Sequence, residues 1–205
     1  MAEQKARVAV LVSGGGTNLQ AILDAQKSGA IHSGEVKLVI ANKIDAYALT
    51  RAERAGVPTA VVLKKDCGSQ AAFEEKIACM LEENGIDLIV LAGFMAILSG
   101  DFTARFDHRI INVHPSLIPS FCGAGFYGLK VHEAALQKGV KVTGATVHYV
   151  NEIPDGGEII AQKAVAVEAG DTPETLQKRV MEQAEWIILP QSVEMICQGI
   201  IARKG

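Results

Sequence analysis

Asn112 and His114 stand two residues apart in the run Ile110-Ile111-Asn112-Val113-His114-Pro115. Side chains alternate along an extended chain, so the carboxamide and the imidazole project to one side, and Pro115 ends the strand just beyond them. A carboxamide donates to a developing oxyanion, and an imidazole holds or moves a proton near neutral pH. A strand-end histidine equally serves as a hydrogen-bonded structural residue, so this motif alone leaves both roles open. Asp155 stands in Asn151-Glu152-Ile153-Pro154-Asp155-Gly156-Gly157, where Pro-Asp-Gly is also ordinary turn chemistry. Taken as a set, the acid, the imidazole and the carboxamide can accept a proton from an amine and stabilise an oxyanion, which acyl transfer requires.

A second group suits an anion. Val8-Ala9-Val10-Leu11-Val12 leads into Ser13-Gly14-Gly15-Gly16-Thr17-Asn18-Leu19, a strand, a glycine turn and a helix start. Such a turn bares backbone N–H groups and the helix N-terminus adds partial positive charge, so a phosphate can be held without lysine. The alternative is a plain tight turn with Thr17 as a helix cap. A dinucleotide fingerprint needs glycine where Leu19 stands and an acid at the end of the second strand, where Asn42 is found. The P-loop pattern is absent as well, which leaves a single phosphate monoester as the ligand that fits. Metal is not supported: Cys67, Cys79, Cys122 and Cys197 are irregularly spaced and read as reduced structural thiols, and Leu136 follows His132-Glu133 where a second metal-binding histidine belongs.

The elements that carry these residues follow from hydrophobic period. Short, nearly continuous apolar runs at 7–12, 36–41, 58–63, 88–92 and 109–113 predict strands covered on both faces. Helical spacing at 17–27, 46–55 and 69–83 falls between them, with Gly29, Gly56 and Gly85 placed as helix C-termini. This alternation predicts an α/β domain around a mostly parallel sheet. Beyond His114 a long loop precedes a helix at 131–138, two strands at 143–150 and 158–167, and a last helix from Pro173, capped by Asp171 or Thr172, to about 202 with a bend near Pro190.

The 205 residues read as one domain, 1–205, with a phosphate-substrate half over 1–100 and a catalytic half over 101–205. With 20 Lys+Arg against 23 Asp+Glu the net charge is −3, so no basic excess exists to engage nucleic acid or an anionic membrane. Apolar runs such as 88–92 and 186–189 are far short of the ~20 residues that span a bilayer. The polar start, residues 1–7, has no signal-peptide pattern, and a cytoplasmic location is expected.

SGGGTNLQAIL, LAGFMAIL, NVHPSLIPSF and the run from TGATVHYV to PDGG, in this order over nearly the whole chain, resemble the phosphoribosylglycinamide formyltransferases. The resemblance implies a Rossmann-like formyltransferase fold with helices on both faces and a C-terminal mixed extension of the sheet. It implies transfer of a formyl group from the cosubstrate 10-formyltetrahydrofolate to the amine of glycinamide ribonucleotide (GAR). The products are formyl-GAR and tetrahydrofolate in IMP biosynthesis, formed through a tetrahedral intermediate without metal, in a monomer or homodimer.

Carried across, the catalytic trio falls on Asn112, His114 and Asp155: Asn112 on the formyl oxygen, His114 as a partly cationic proton shuttle, Asp155 orienting His114 and raising its pKa. The phosphate loop matches Gly15, Gly16, Thr17 and Asn18, and Glu185 matches a ribose contact. The folate pocket falls on Met95, Ala96, Ile97 and Leu98, where core packing is the alternative, together with Asn112, Val150, Asn151, Glu152, Ile153, Pro154 and Asp155. The family often has arginine where this chain has Ala96 and Gln70, and histidine where it has Trp186. Segment 119–130 matches a loop that closes over the site, with 120–128 the candidate lid; Phe121, Phe126 and Tyr127 can instead pin it. Related formyl-folate hydrolases carry an extra N-terminal domain and methionyl-tRNA formyltransferases a C-terminal one, and the chain is expected to have room for neither. A non-catalytic phosphate-binding module is the other alternative.

Overall fold

The computed structural model describes residues 5–204, so the polar start at residues 1–4 lies outside the described residues. Seven strands form one sheet: β1 (Ala6–Val12), β2 (Gly34–Ala41), β3 (Thr59–Val61), β4 (Leu88–Leu91), β5 (Ile110–His114), β6 (Val142–Tyr149) and β7 (Ile159–Ala166). Their order across the sheet is β3-β2-β1-β4-β5-β6-β7. The five on the β3 side are parallel, while β6 and β7 join antiparallel as the expected mixed extension. The order reverses direction between β1 and β4, so the C-terminal ends of β1, β4 and β5 share the crevice where open α/β sheets bind ligands.

Alternation along the strands builds two cores. Val8, Val10 and Val12 face one, with Leu19 and Ile22 of α1 (Thr17–Ser28) and Leu189 and Val193 of α7 (Trp186–Lys204). Ala9 and Leu11 face the other, with Phe73, Ile77 and Leu81 of α3 (Gln70–Glu83). This two-sided burial is why the parallel strands read as unbroken apolar runs. Between them lie α2 (Tyr47–Arg54), α4 (Gly100–Arg105) and α5 (Leu129–Lys138). Gly29, Gly56 and Gly85 adopt the positive φ their positions required.

The structure differs from the sequence reading in one added element and two corrected expectations. The six-residue α4 escaped the periodicity reading; its N-cap is Ser99, whose hydroxyl accepts from Phe102 N and whose N–H donates to the buried Glu74. Thr17 does not cap α1: the N-cap is Gly16, in the left-handed region, and the Thr17 hydroxyl turns to Met181 Sδ. The last helix is not one bent rod. It consists of α6 (Pro173–Val180), capped by Thr172, a π turn over Met181–Glu185, and α7, within which Pro190 lies. The irregularity thus falls one turn before the proline. Trp186, at the end of the π turn, is the residue whose carbonyl Pro190 leaves without its i+4 donor.

Candidate active site

Asn112 and His114 sit at the C-terminal end of β5 on one face, as the alternation requires. Asp155 reaches them from the turn between β6 and β7, with φ 55, a left-handed conformation that aspartate tolerates better than most residues. Asp155 Oδ2 lies 3.4 Å from His114 Nδ1 and accepts from Gly123 N at 2.8 Å. On the other ring nitrogen, His114 Nε2 lies 2.8 Å from the Phe121 carbonyl, which only accepts, so Nε2 carries a proton. His114 Nδ1 therefore faces the carboxylate with its lone pair. Burial pushes the His114 imidazole below its ordinary value, and the opposing influence of the Asp155 charge and the Phe121 carbonyl does not overcome it. The Asp155 charge thus acts on His114 in the expected upward direction, and burial sets the net direction. Burial also acts to raise Asp155, but the carboxyl sits below the usual aspartate value, with the Gly123 N–H donating to Oδ2 as an opposing influence.

His148 is the member that motif reading missed. It is 1 % exposed and directly opposite Asn112 in the antiparallel β5–β6 register. Its Nε2 is 3.1 Å from Asn112 Nδ2 and 3.6 Å from Asp155 Oδ1, and its Nδ1 is 2.7 Å from the Tyr149 carbonyl. Gly157 lies so close to that carbonyl that a Cβ would collide with it, which brings the Asp155 turn against β6.

At the neighbouring strand end, Gly14 and Gly15 have open space above them, whereas Gly16, at φ 71, abuts Ala48 of α2. The loop is braced from behind: Ala48 N donates to the Gly14 carbonyl at 3.0 Å and Arg51 Nε to the Gly15 carbonyl at 2.8 Å. Asn18 Nδ2 donates to Glu185 Oε2 at 2.7 Å, so the two predicted substrate residues, far apart in sequence, do meet. Glu185 is delivered by the π turn, and burial pushes its carboxyl up to about 7 despite the Asn18 hydrogen bond. Asn18 Oδ1 is buried without a partner. Thr17, whose hydroxyl meets Met181 Sδ of the π turn, lines a 630 Å³ cavity between α1 and α7 that Trp186 also lines. That cavity contains none of the trio.

A 130 Å³ cleft beside the trio is lined by Ala96, Ile97, Leu98, Asn112 and residues 150–155, together with Leu91, Phe94 and His148. Met95 does not line it: its side chain is half exposed, and its N–H donates to Ser13 Oγ at 2.7 Å, tying the cleft wall to the glycine loop. Gln70 Nε2 donates to the Ile97 carbonyl at 3.1 Å. Among the described residues no group of three His, Cys, Asp or Glu is arranged to hold a metal ion, and no helix is long and apolar enough to cross a membrane.

An amide, an imidazole and a carboxylate thus meet at the switch point of the sheet, beside a narrow cleft, and this set has the chemistry that acyl transfer requires. The sequence pattern described as formyl transferase matches residues 6–193, and the chain belongs to that family. It is 41% identical to a phosphoribosylglycinamide formyltransferase of Haemophilus influenzae, over 97% of this chain and 90% of that protein. The crystal structure of glycinamide ribonucleotide transformylase 1 from Symbiobacterium toebii superposes with a TM-score of 0.89 at 41% identity, covering 97% of this chain and 94% of that one. The chain is also 46% identical to the trifunctional purine biosynthetic protein adenosine-3 of Gallus gallus over 96% of its own residues, and it spans 19% of that protein's length.

Proposed function

We propose that this chain transfers the formyl group of 10-formyltetrahydrofolate to the amine of GAR, giving formyl-GAR and tetrahydrofolate in purine biosynthesis. The observation that carries this reading is the convergence of Asn112, His114 and Asp155 from two separate segments beside the cleft. The cosubstrate supplies an electrophilic carbonyl carbon. In this reading Asn112 donates from Nδ2 to the carbonyl oxygen as negative charge grows there. His114 Nδ1, facing Asp155 with a bare lone pair, takes up the proton released by the attacking amine. The imidazolium so formed gains the carboxylate beside it, and its proton is then available to the departing nitrogen.

The glycine loop over Gly15 and Gly16, with the α1 N-terminus behind it, fits a phosphate monoester, and Asn18 with Glu185 presents an amide and a carboxyl to sugar hydroxyls. Apolar walls at Ile97, Leu98 and Val150 and the backbone of 150–155 fit one edge of a flat ring. The reading as one domain is supported by the bond from Asn18 in the first half to Glu185 in the second. Both substrates are soluble small molecules, which agrees with a cytoplasmic enzyme.

The test is to mix purified protein with 10-formyltetrahydrofolate, with and without GAR, and follow tetrahydrofolate. GAR-dependent release is expected. Release indifferent to GAR would make the chain a hydrolase, and GAR binding without release a non-catalytic module.

A further inference from the structure

We infer that His148 is a positioning residue that fixes which end of the Asn112 amide meets the reacting carbonyl. The inference deepens the proposed formyl transfer and rests on it for its kinetic part. A backbone carbonyl can only accept, so the 2.7 Å contact from His148 Nδ1 to the Tyr149 carbonyl places the ring proton on Nδ1. Nε2 is then a lone pair. Of the groups around it, Asp155 Oδ1 at 3.6 Å is beyond hydrogen-bond length and offers no proton, whereas Asn112 Nδ2 at 3.1 Å donates. The amide is thereby held with its NH2 end inward, and one N–H remains for a ligand. A flipped amide would set its oxygen against the Nε2 lone pair.

The orientation decides the sign of the contact at the reaction centre. An N–H aimed at a growing oxyanion stabilises it, and an amide oxygen there would repel it. The pairing is a product of topology: Asn112 and His148 are register partners only because β6 runs antiparallel to β5, and an irregularity in the β6–β7 register begins at His148 itself. Bulges of this kind re-aim side chains beside sites.

His148→Phe keeps a ring of similar size and removes the acceptor. Its kcat is expected to fall on the order of 10²-fold, the low end for loss of one oxyanion donor, with KM for GAR and formyl-folate changed by less than about twofold. His148→Gln, whose amide oxygen can accept, should recover about tenfold of that loss. In an Asn112→Ala background His148→Phe should cost less than about threefold, because residues acting through one another are non-additive. A full loss in that background, or unchanged kcat in His148→Phe, overturns the proposal. The tautomer is read independently of turnover and of mutant folding. In 15N-labelled unaltered protein, with the His148 signal assigned by its absence from His148→Gln, Nδ1 should be protonated and Nε2 bare. A proton on Nε2 overturns the proposal even if formyl transfer is confirmed; absence of transfer with the expected tautomer would sink the functional reading alone.

Discussion

His114 is flanked by two acceptors, and an uncharged imidazole can satisfy only one of them. Burial keeps the resting ring below its ordinary pKa, so the gain from pairing with Asp155 arrives only when a proton does. Asp155→Asn removes that gain without removing bulk. Turnover should fall by about 10³-fold or more while the melting temperature and GAR binding stay close to the parent, as for carboxylates that serve an imidazole elsewhere. Rates within tenfold of the parent would take Asp155 out of the mechanism. Glu185 makes a separate prediction. Its folded pKa of about 7 lies above the ordinary value of 4.5, so the folded state holds a proton that the unfolded state releases. The stability this lends is complete below pH 4.5 and is lost as pH rises to 7, by about 3 kcal/mol at most. Glu185→Gln should flatten that part of the stability curve in urea titrations. An identical slope in parent and variant would show that Glu185 is not the group responsible.

The glycine turn and the π turn show how local backbone sets the site. Gly16 combines φ 71 with a neighbour that leaves no room, since a Cβ would lie 2.6 Å from that of Ala48. Left-handed strain and overpacking together should make Gly16→Ala less stable by about 2 kcal/mol or more. KM for GAR should rise at least about tenfold as the phosphate N–H groups lose their aim. Gly14→Ala, with open space at that position, serves as the control. The five parallel strands and the helices between them were legible because two-sided burial writes itself into unbroken apolar runs, and glycines mark the helix ends. The six-residue α4 was not, being too short for a period to show. Nor was the π turn: an extra residue in a helix has no signature in residue type, and Pro190 drew attention one turn too far along. For the site, alternation placed Asn112 beside His114 without outside help. His148 remained hidden because alternation tells which way a side chain faces and not which strand lies opposite.

The segments that meet at the trio come from the start and the middle of the second half of the chain, and the loop between Pro119 and Gly128 lies against them. Its contacts are specific: the Phe121 carbonyl accepts a hydrogen bond from His114 Nε2, Gly123 N–H donates to Asp155, and the Phe121 ring packs on the core and edge-on to Phe126 at 6.3 Å. Phe121 itself sits at φ 50, a conformation a bulky residue holds only where its surroundings enforce it. These contacts hold the loop in place beside His114 and Asp155 at Phe121 and Gly123, whereas Tyr127 is exposed and meets Lys130. A loop held there matters most for an activated acyl donor, because water admitted beside His114 and Asp155 competes with the amine. Phe121→Ala removes the ring anchor and leaves the backbone contacts in place. GAR-dependent transfer should fall several-fold, and tetrahydrofolate release in the absence of GAR should become a measurable share of the total where the parent shows almost none. Hydrogen exchange supplies the structural half of the measurement: the Gly123 and Phe126 amides should exchange faster in the variant, and those of β1 and β4 should not. Faster exchange with unchanged coupling would leave the loop a structural strap with no part in excluding water.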